Sequence, residues 1–369
     1  MFAFGIEHEV AFLNRAGQFA DFVSTSFAEF DSIVADLPLY ATDYPQLRIG
    51  DAGIKRKRWY IEGYERFNHA GQVIDCPPKG IEIRTTVHNT IRGAIDELHT
   101  SFRLLREKAM QAGFTPVLTS FHPYCTEFVP DPPLNAYEEK RRHNSPEKRT
   151  AFIPLLTYGP DLNLSCQGLD SNALIEIARK LTYYSPYIIP FSYSSPFFRG
   201  DLWEGLSIRT VMRTGRRPVA LVFLADRADL LHSDPSLTKL ARLPAEVGRI
   251  EFKACDSCDD FAIYAGLLAL LKGLILDTTL TGRATVPDAD FHQVSARQGF
   301  AHDDIAAGAL TVLQAAQHAL GTDEDTQFLA PLAAMLHQRV TPAHNIVATF
   351  QATGSIEATL CQSYRSYKP

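Results

Sequence analysis

The sequence predicts an α+β fold in which strands with one apolar and one acidic face are backed by long helices. Three observations predict it. Phe2–Leu13, FAFGIEHEVAFL, has the two-residue period of a strand, with Phe2, Phe4, Ile6, Val10 and Phe12 on one face and Glu7 and Glu9 on the other. The same mixture of carboxylates and β-forming apolar residues recurs at Gly80–Val87 and at Arg249–Ala254. Helical periodicity follows two of these strands, through Ile91, Ile95, Leu98, Phe102 and Leu105 and again over Phe261–Asp277.

An apolar strand has no packing use for two adjacent carboxylates. Held roughly 6–7 Å apart on one face, they repel each other and resist desolvation, and a bound divalent cation relieves both costs. The competing reading is an edge strand whose acidic face lies in water. Recurrence of the pattern on two further strands favours the cation.

The totals bound the rest. With 369 residues, 46% of them hydrophobic and 21% charged, the chain can bury a large core. A net charge of −6 leaves no broad basic surface, so neither nucleic acid nor a membrane is expected as a partner, and any phosphate site must be local. Phe261–Leu276 is the longest apolar stretch; it carries Lys272 and is short for a membrane span, so it reads as a buried helix. The N-terminus enters a strand without a charged leader, and the six cysteines (76, 125, 166, 255, 258 and 361) are scattered. A cytoplasmic location with reduced thiols is therefore expected. Cys255 and Cys258 form a C-x-x-C without a second pair at zinc-site spacing, which favours packing over a redox or metal role.

Taken in order, Arg58–Phe67 and Gln72–Cys76 flank the turn residues Asn68–Gly71 and read as a hairpin, with Glu62 on its polar face. Gly80–Val87 sets Ile81, Ile83 and Thr85 against Glu82, Arg84 and Thr86, and Asn89 or Thr90 caps the helix that follows. Phe114–Ser120 is a strand running into Phe121-His122-Pro123-Tyr124. Residues 126–150, with Glu138–His143 reading EEKRRH, suggest a mobile surface excursion. Leu155–Cys166 is a strand exposing Asp161, Asn163 and Ser165, and Ser171–Tyr184 is a helix. Residues 194–209, SSPFFRGDLWEGLSIR, form a long ordered loop, with Arg213, Arg216 and Arg217 adding local positive charge. Val219–Leu224 is a strand. Gly248–Ala254 points Ile250 and Phe252 inward and Arg249, Glu251 and Lys253 outward. Helices are expected near Asp303–Leu320, Asp325–Arg339 and Pro342–Gln351. We expect one catalytic domain over residues 1–369, with 301–369 as its helical C-terminal part.

Five of these segments, in order, resemble the bacterial-type glutamate–cysteine ligase family and the related ATP-dependent carboxylate–amine ligases. Phe4–Val10, FGIEHEV, is similar to the family's opening G-[IV]-E-x-E strand, and Gly80–Thr85, GIEIRT, to its second acidic strand. Ser120–Tyr124, SFHPY, resembles the G-T-H-P-F element. Ser195–Arg209 resembles S-P-F-W-x-G…S-Y-R at matching length, and Arg249–Asp256, RIEFKACD, the closing [TR]-[IV]-E-x-R-x-x-D strand. Three departures stand out. Asp161-Leu162-Asn163 replaces His-Val-His, exchanging a histidine ligand for an oxygen ligand. Lys253 replaces an arginine, keeping the charge and losing the bidentate fork. Leu202-Trp203-Glu204 stands where the family has Asp-Thr-Gly.

The resemblance implies a glutamine-synthetase-like fold: a curved, mainly antiparallel sheet whose concave face holds metals and ATP, backed by helices. It implies Glu7, Glu9, Glu82 and Glu251 as metal ligands, with Asn163 and Glu62 as further candidates. An all-oxygen donor set suits Mg²⁺ or Mn²⁺. Arg209, Lys253 and Arg84 are candidates for offsetting phosphoryl charge or holding a substrate carboxylate, and His122, Ser207 and Arg209 for binding substrate, with bracing of its loop the alternative for His122. Glu62 and Asp161 are both candidates for accepting the ammonium proton. The expected activity joins the γ-carboxylate of glutamate to cysteine or another amine through an acyl phosphate, with small amino-acid and amine substrates; self-association is compatible with it. Alternatives are a guanidino-kinase-like or non-catalytic member of the same fold that binds an acidic metabolite or partner, and a metal-dependent hydrolase that uses no nucleotide.

Overall fold

The computed structural model describes residues 1–43, 58–144 and 146–364. Its centre is β1 (Phe2–Leu13), which pairs with β4 (Pro78–Arg84) on one side and β6 (Asp161–Cys166) on the other. Beyond β4 lies β3 (Trp59–Gly63). Beyond β6 lie β9 (Arg249–Phe252), β7 (Ala220–Leu224) and β8 (Thr238–Leu240), in that order. The far end of β1 also pairs with β2 (Phe19–Ala20) and β5 (Thr115–Val117), so that this sheet has nine strands among the described residues. The pairings are antiparallel except β7 with β8. The sheet curls into an open half-barrel backed by helices, the α+β class that the alternating strands predict.

The convex side carries the core. Phe4, Ile6, Val10 and Phe12 of β1 are buried together with Ile81, Ile83, Leu162, Leu164, Ile250 and Phe252 from its neighbours. Against them pack α1 (Phe27–Ala35), α2 (Ile91–Gln111), α4 (Ser171–Ile188) and α6 (Phe261–Leu276), and α8 (Asp303–Leu320) packs behind on α6 and α4. Thr90 caps α2 by accepting a bond from the Gly93 amide, and Asp260 caps α6 through the Ala262 amide. The interior of α6 is buried nearly all round, and each of Leu267, Leu270, Leu271 and Leu274 contributes roughly 1.5–3 kcal/mol. Gly273 lets α6 meet α8 closely, since a Cβ there would stand 2.7 Å from Ala316 Cα. No helix among the described residues is long and apolar enough to cross a membrane. His8 lies on this apolar face, between the Tyr264 and Tyr364 hydroxyls at 3.0 Å each, and burial lowers its pKa to about 3. It is a neutral core histidine.

Several segments differ from the periodicity reading. The run Leu155–Cys166 does not form one strand: Phe152–Leu156 is a helical turn, and the strand begins only after Gly159-Pro160, where proline offers no amide to a ladder. Thr238–Leu240 is a strand that its mixed composition concealed, and the strand expected over Phe114–Ser120 is only Thr115–Val117. The hairpin around Asn68–Gly71 exists as Arg66–Phe67 against Val73–Asp75, while β3 pairs further along with β4 across an irregularity at Glu62/Gly63. Residues 126–150 contain α3 (Ala136–Asn144). Glu138 is buried there and ties α3 down: one oxygen accepts from Arg66 Nε at 2.8 Å and the Phe67 amide at 2.9 Å, the other from the Asn135 amide at 2.9 Å. All six cysteines are free; burial pushes the Cys255 thiol up to about 12, which leaves it no thiolate character.

One position is critical for the β1–β4 ladder. A Cβ on Gly80 would collide with the Val10 carbonyl oxygen, which is backbone and cannot move aside. Gly80→Ala is expected to cost about 1–3 kcal/mol of stability, read as a lowered denaturation midpoint; an unchanged midpoint would mean the two strands are further apart than described.

Candidate active site

Strand register assembles the polar face of the sheet. Across β1, Glu9 faces Glu82, and Glu7 lies between Arg84 on one side and Asp161 on the other. Glu251 faces Asn163, which in turn faces Gly5, a residue with no side chain to fill the space above it. Directly paired residues share a face, so six carboxylates from five strands converge on one concavity.

They form two groups. Carboxylate oxygens of Glu9, Glu62 and Glu82 lie within 4.8 Å of one another, as do those of Glu7, Asp161 and Glu251. Each group has its own cation. Lys79 Nζ is 2.9 Å from Glu9 and 2.6 Å from Glu62. Lys253 Nζ pairs with Asp161 and lies 3.2 Å from Glu251, while Arg249 stands 3.7 Å from Glu7 and from Glu251. The two groups share a cavity of about 350 Å³ whose other lining includes Arg209, Arg213, Arg217 and Lys239.

Titration follows from that crowding. Burial pushes the Glu7 carboxyl up to about 7, with the charges of Asp161 and Glu251 adding to the effect. Glu82 is raised well above the usual carboxylate range by burial, then by Glu62 and Glu7. On Lys253 burial works to lower the pKa, but Asp161, Glu251 and Glu7 outweigh it and hold it above the usual lysine value. Arg213 is pushed down by burial and by neighbouring Arg209 and Arg217. Carboxylates crowded enough to hold protons near neutrality need positive charge.

Whether a divalent ion suits the site is decided by Asn163. Its Oδ1 is buried without a hydrogen-bond partner on the strand that carries Asp161, facing Glu251. A buried amide oxygen left unsatisfied on the same sheet face as three carboxylates is chemically suited to be a fourth oxygen donor to a hard cation. Glu7, Asp161, Glu251 and Asn163 therefore fit Mg²⁺ or Mn²⁺.

Glu7, Glu9, Glu62, Glu82, Asn163 and Glu251 all line this cavity, as do Arg84, Arg209 and Lys253. His122 and Ser207, expected to bind substrate, do not line it. His122 is fully buried, its Nε2 3.1 Å from Asp21 and its Nδ1 accepting from the Tyr124 and Cys125 amides, so it braces the loop after β5. Ser207 caps α5 (Ile208–Arg213) and bonds Thr210 and Asp256. Arg209 is partly committed: its guanidinium donates to the Ala254 and Lys253 carbonyls at 2.8 and 3.1 Å, and any side chain at Gly159 would collide with it. Loop 194–209 is held from outside by α7 (Ala289–Gln298), where Arg297 pairs with Glu204 and sits over the Trp203 ring.

Sequence reading missed Lys79 and did not connect Arg213 and Arg217 to the site. The arginines had a signal: Arg209 and Arg213 stand four residues apart, the spacing of one helix face, and Arg217 follows four residues on, past the end of α5. Lys79 had none, because alternation groups it with buried Ile81 and Ile83.

Neither a protein-family model nor a curated protein matches the sequence. The fold does have counterparts among solved structures. It is similar to a bifunctional glutathione synthetase from Pasteurella multocida, with TM-score 0.61 and 10% identity over 99% of this chain, which spans 52% of that protein's length. It is similar to glutamate–cysteine ligase from Francisella tularensis in complex with AMP, with TM-score 0.58 and 12% identity over 100% of this chain and 89% of that one. A third counterpart is the ligase PafA in its complex with the prokaryotic ubiquitin-like protein Pup, with TM-score 0.53 and 12% identity over 97% and 72% of the two chains. At these identities the likeness lies in the fold, and the fold is the curled, helix-backed sheet of these ligases.

Proposed function

We propose that the concave face is the active site of an ATP- and Mg²⁺-dependent carboxylate–amine ligase. The observation that carries this reading is the meeting, in one cavity, of two carboxylate groups with a wall of arginine and lysine. An acidic floor suits a divalent cation, and a basic wall suits phosphate and substrate carboxylate. The fold shared with three ligases supports it.

A carboxylate is a poor electrophile. In this proposal the donor carboxylate, that of glutamate, takes the γ-phosphoryl group of ATP to give an acyl phosphate and ADP; an amine then attacks the acyl carbon and phosphate leaves. A divalent ion held by Glu7, Asp161, Glu251 and Asn163 supplies positive charge against the phosphates. The chain's own cations do the rest. Arg213 and Arg217 on the facing wall, with Arg84 and Arg249, offset charge that builds on the transferring group. Lys253 is held ammonium-form by its acidic neighbours and orients a substrate carboxylate. Asp161 or Glu62 takes the proton from the attacking amine.

ADP release with ATP, Mg²⁺, glutamate and a panel of amines, including cysteine and lysine-like amines, tests the reading. Amine-dependent release is expected, lowered about 100-fold or more by Glu251→Gln. Turnover that ignores glutamate and amine, or a Glu251→Gln variant as fast as the parent, would sink it.

The metal assignment predicts a pH effect on stability. Glu7 titrates at about 7 in the fold against an ordinary 4.5, so the folded state holds the proton more tightly. Its contribution is fully present below pH 4.5 and is lost as pH rises through 7. In EDTA the parent is expected to lose roughly 1–3 kcal/mol across that window relative to Glu7→Gln, with millimolar Mg²⁺ abolishing the difference. Parallel melting curves for parent and variant, with and without Mg²⁺, would contradict it.

A further inference from the structure

The two carboxylate groups look alike in charge but differ in how their cations are held. Lys253 lines the cavity, its side chain 17% exposed, and it pairs with the carboxylates of Asp161 and Glu251. A bound ion can take its place, and the ammonium can turn toward a substrate. Beside it stands the unsatisfied Asn163 Oδ1.

Lys79 is fixed. Its side chain is 2% exposed, under the ring of fully buried Tyr158. Besides its ion pairs with Glu9 and Glu62, Nζ donates to the main-chain carbonyls of Pro154 and Thr157, each at 2.7 Å. The strand end that carries it is held as well, because the Tyr158 hydroxyl donates to the Lys79 carbonyl at 3.0 Å. Glu9 has no slack either: the oxygen that meets Lys79 also accepts the Gly159 amide at 2.8 Å. Expelling this ammonium would leave the buried carbonyls of Pro154 and Thr157 without their donor.

We propose that Lys79 is a built-in cation occupying the Glu9–Glu62 pair in place of a metal ion, so that divalent metal binds only through Glu7, Asp161, Glu251 and Asn163. This deepens the ligase reading and rests on its metal assignment. An ammonium offsets the charge of Glu9 and Glu62 at any metal concentration. It cannot coordinate phosphate as a metal does, so phosphate recognition on that side falls to the arginines of the facing wall. The remaining carboxylate of the group, Glu82, has Arg84 at 3.5 Å as its counter-charge.

Mn²⁺ titration of the full chain, followed by calorimetry and by the electron paramagnetic resonance of free ion, tests this without activity. Glu62→Gln is expected to keep the Mn²⁺ count and the Kd within twofold of the parent, whereas Asp161→Asn weakens binding at least tenfold. Lys79→Met, which keeps the stem and removes the charge, is expected to bind one additional Mn²⁺ and to melt higher with Mn²⁺ than without. Tenfold weaker binding or loss of an ion in Glu62→Gln overturns the proposal and needs no lysine variant to fold; an unchanged count in folded Lys79→Met overturns it too. Asp161→Asn binding Mn²⁺ as the parent does overturns it as well, whereas failure of the ligase reading looks different: no amine-dependent ADP release from a chain whose Mn²⁺ binding follows this pattern.

Discussion

Six carboxylates stand within one curled sheet only because positive charge is interleaved with them, and the rest of the molecule is arranged around that constraint. Antiparallel register forces the crowding: once Glu7 is on the concave face of β1, its neighbours across the ladder are Asp161 and Arg84, and two residues on Glu9 must face Glu82. A slip of one residue on any strand would send its acids into the core against α2 and α6. The apolar alternation that buries Phe4, Ile6 and Val10 is therefore the same feature that aims the carboxylates outward. Packing and site are specified together.

Charge compensation comes in three grades of permanence. Lys79 is sealed in by carbonyls and the Tyr158 ring. Arg249 and Arg84 lie at longer range, 3.5–3.7 Å from their acids, and share the cavity wall. Lys253 is the most exchangeable, beside an amide oxygen that has no partner. That ordering gives the concavity a direction, from a side where charge is fixed to a side where a cation is exchangeable. Residues expected to meet substrate, His122 and Ser207, instead hold the loops that frame it. They act on geometry, through Asp21 and Asp256, without touching the cavity.

Much of this was legible in the amino-acid order because period-two alternation is a strong signal when one face must be buried. It located β1, β4, β9 and, with too early a start, β6, and it set Glu7, Glu9, Glu62, Glu82, Asn163 and Glu251 on polar strand faces; capping chemistry offered Asn89 or Thr90 at the start of α2. What stayed hidden were features that depend on contacts between segments far apart in the chain. Lys79 shares its parity with Ile81 and Ile83, yet its ammonium meets Glu9 and Glu62 beside an irregular stretch of ladder. For His122 the sequence left two roles open, orienting the acceptor or bracing its loop, and the ring of Phe19 and the carboxylate of Asp21 packed on it favour bracing. The short strand Thr238–Leu240 has too few residues to show a period at all.

The central claim concerns where a divalent ion sits. Anomalous diffraction from crystals grown with Mn²⁺ and a non-hydrolysable ATP analogue addresses it directly. The account predicts a manganese peak bounded by the carboxylates of Glu7, Asp161 and Glu251 and by Asn163 Oδ1, with Lys253 turned away. Manganese found only outside this group, or a concave face that holds the nucleotide with no ion near those four residues, would contradict it.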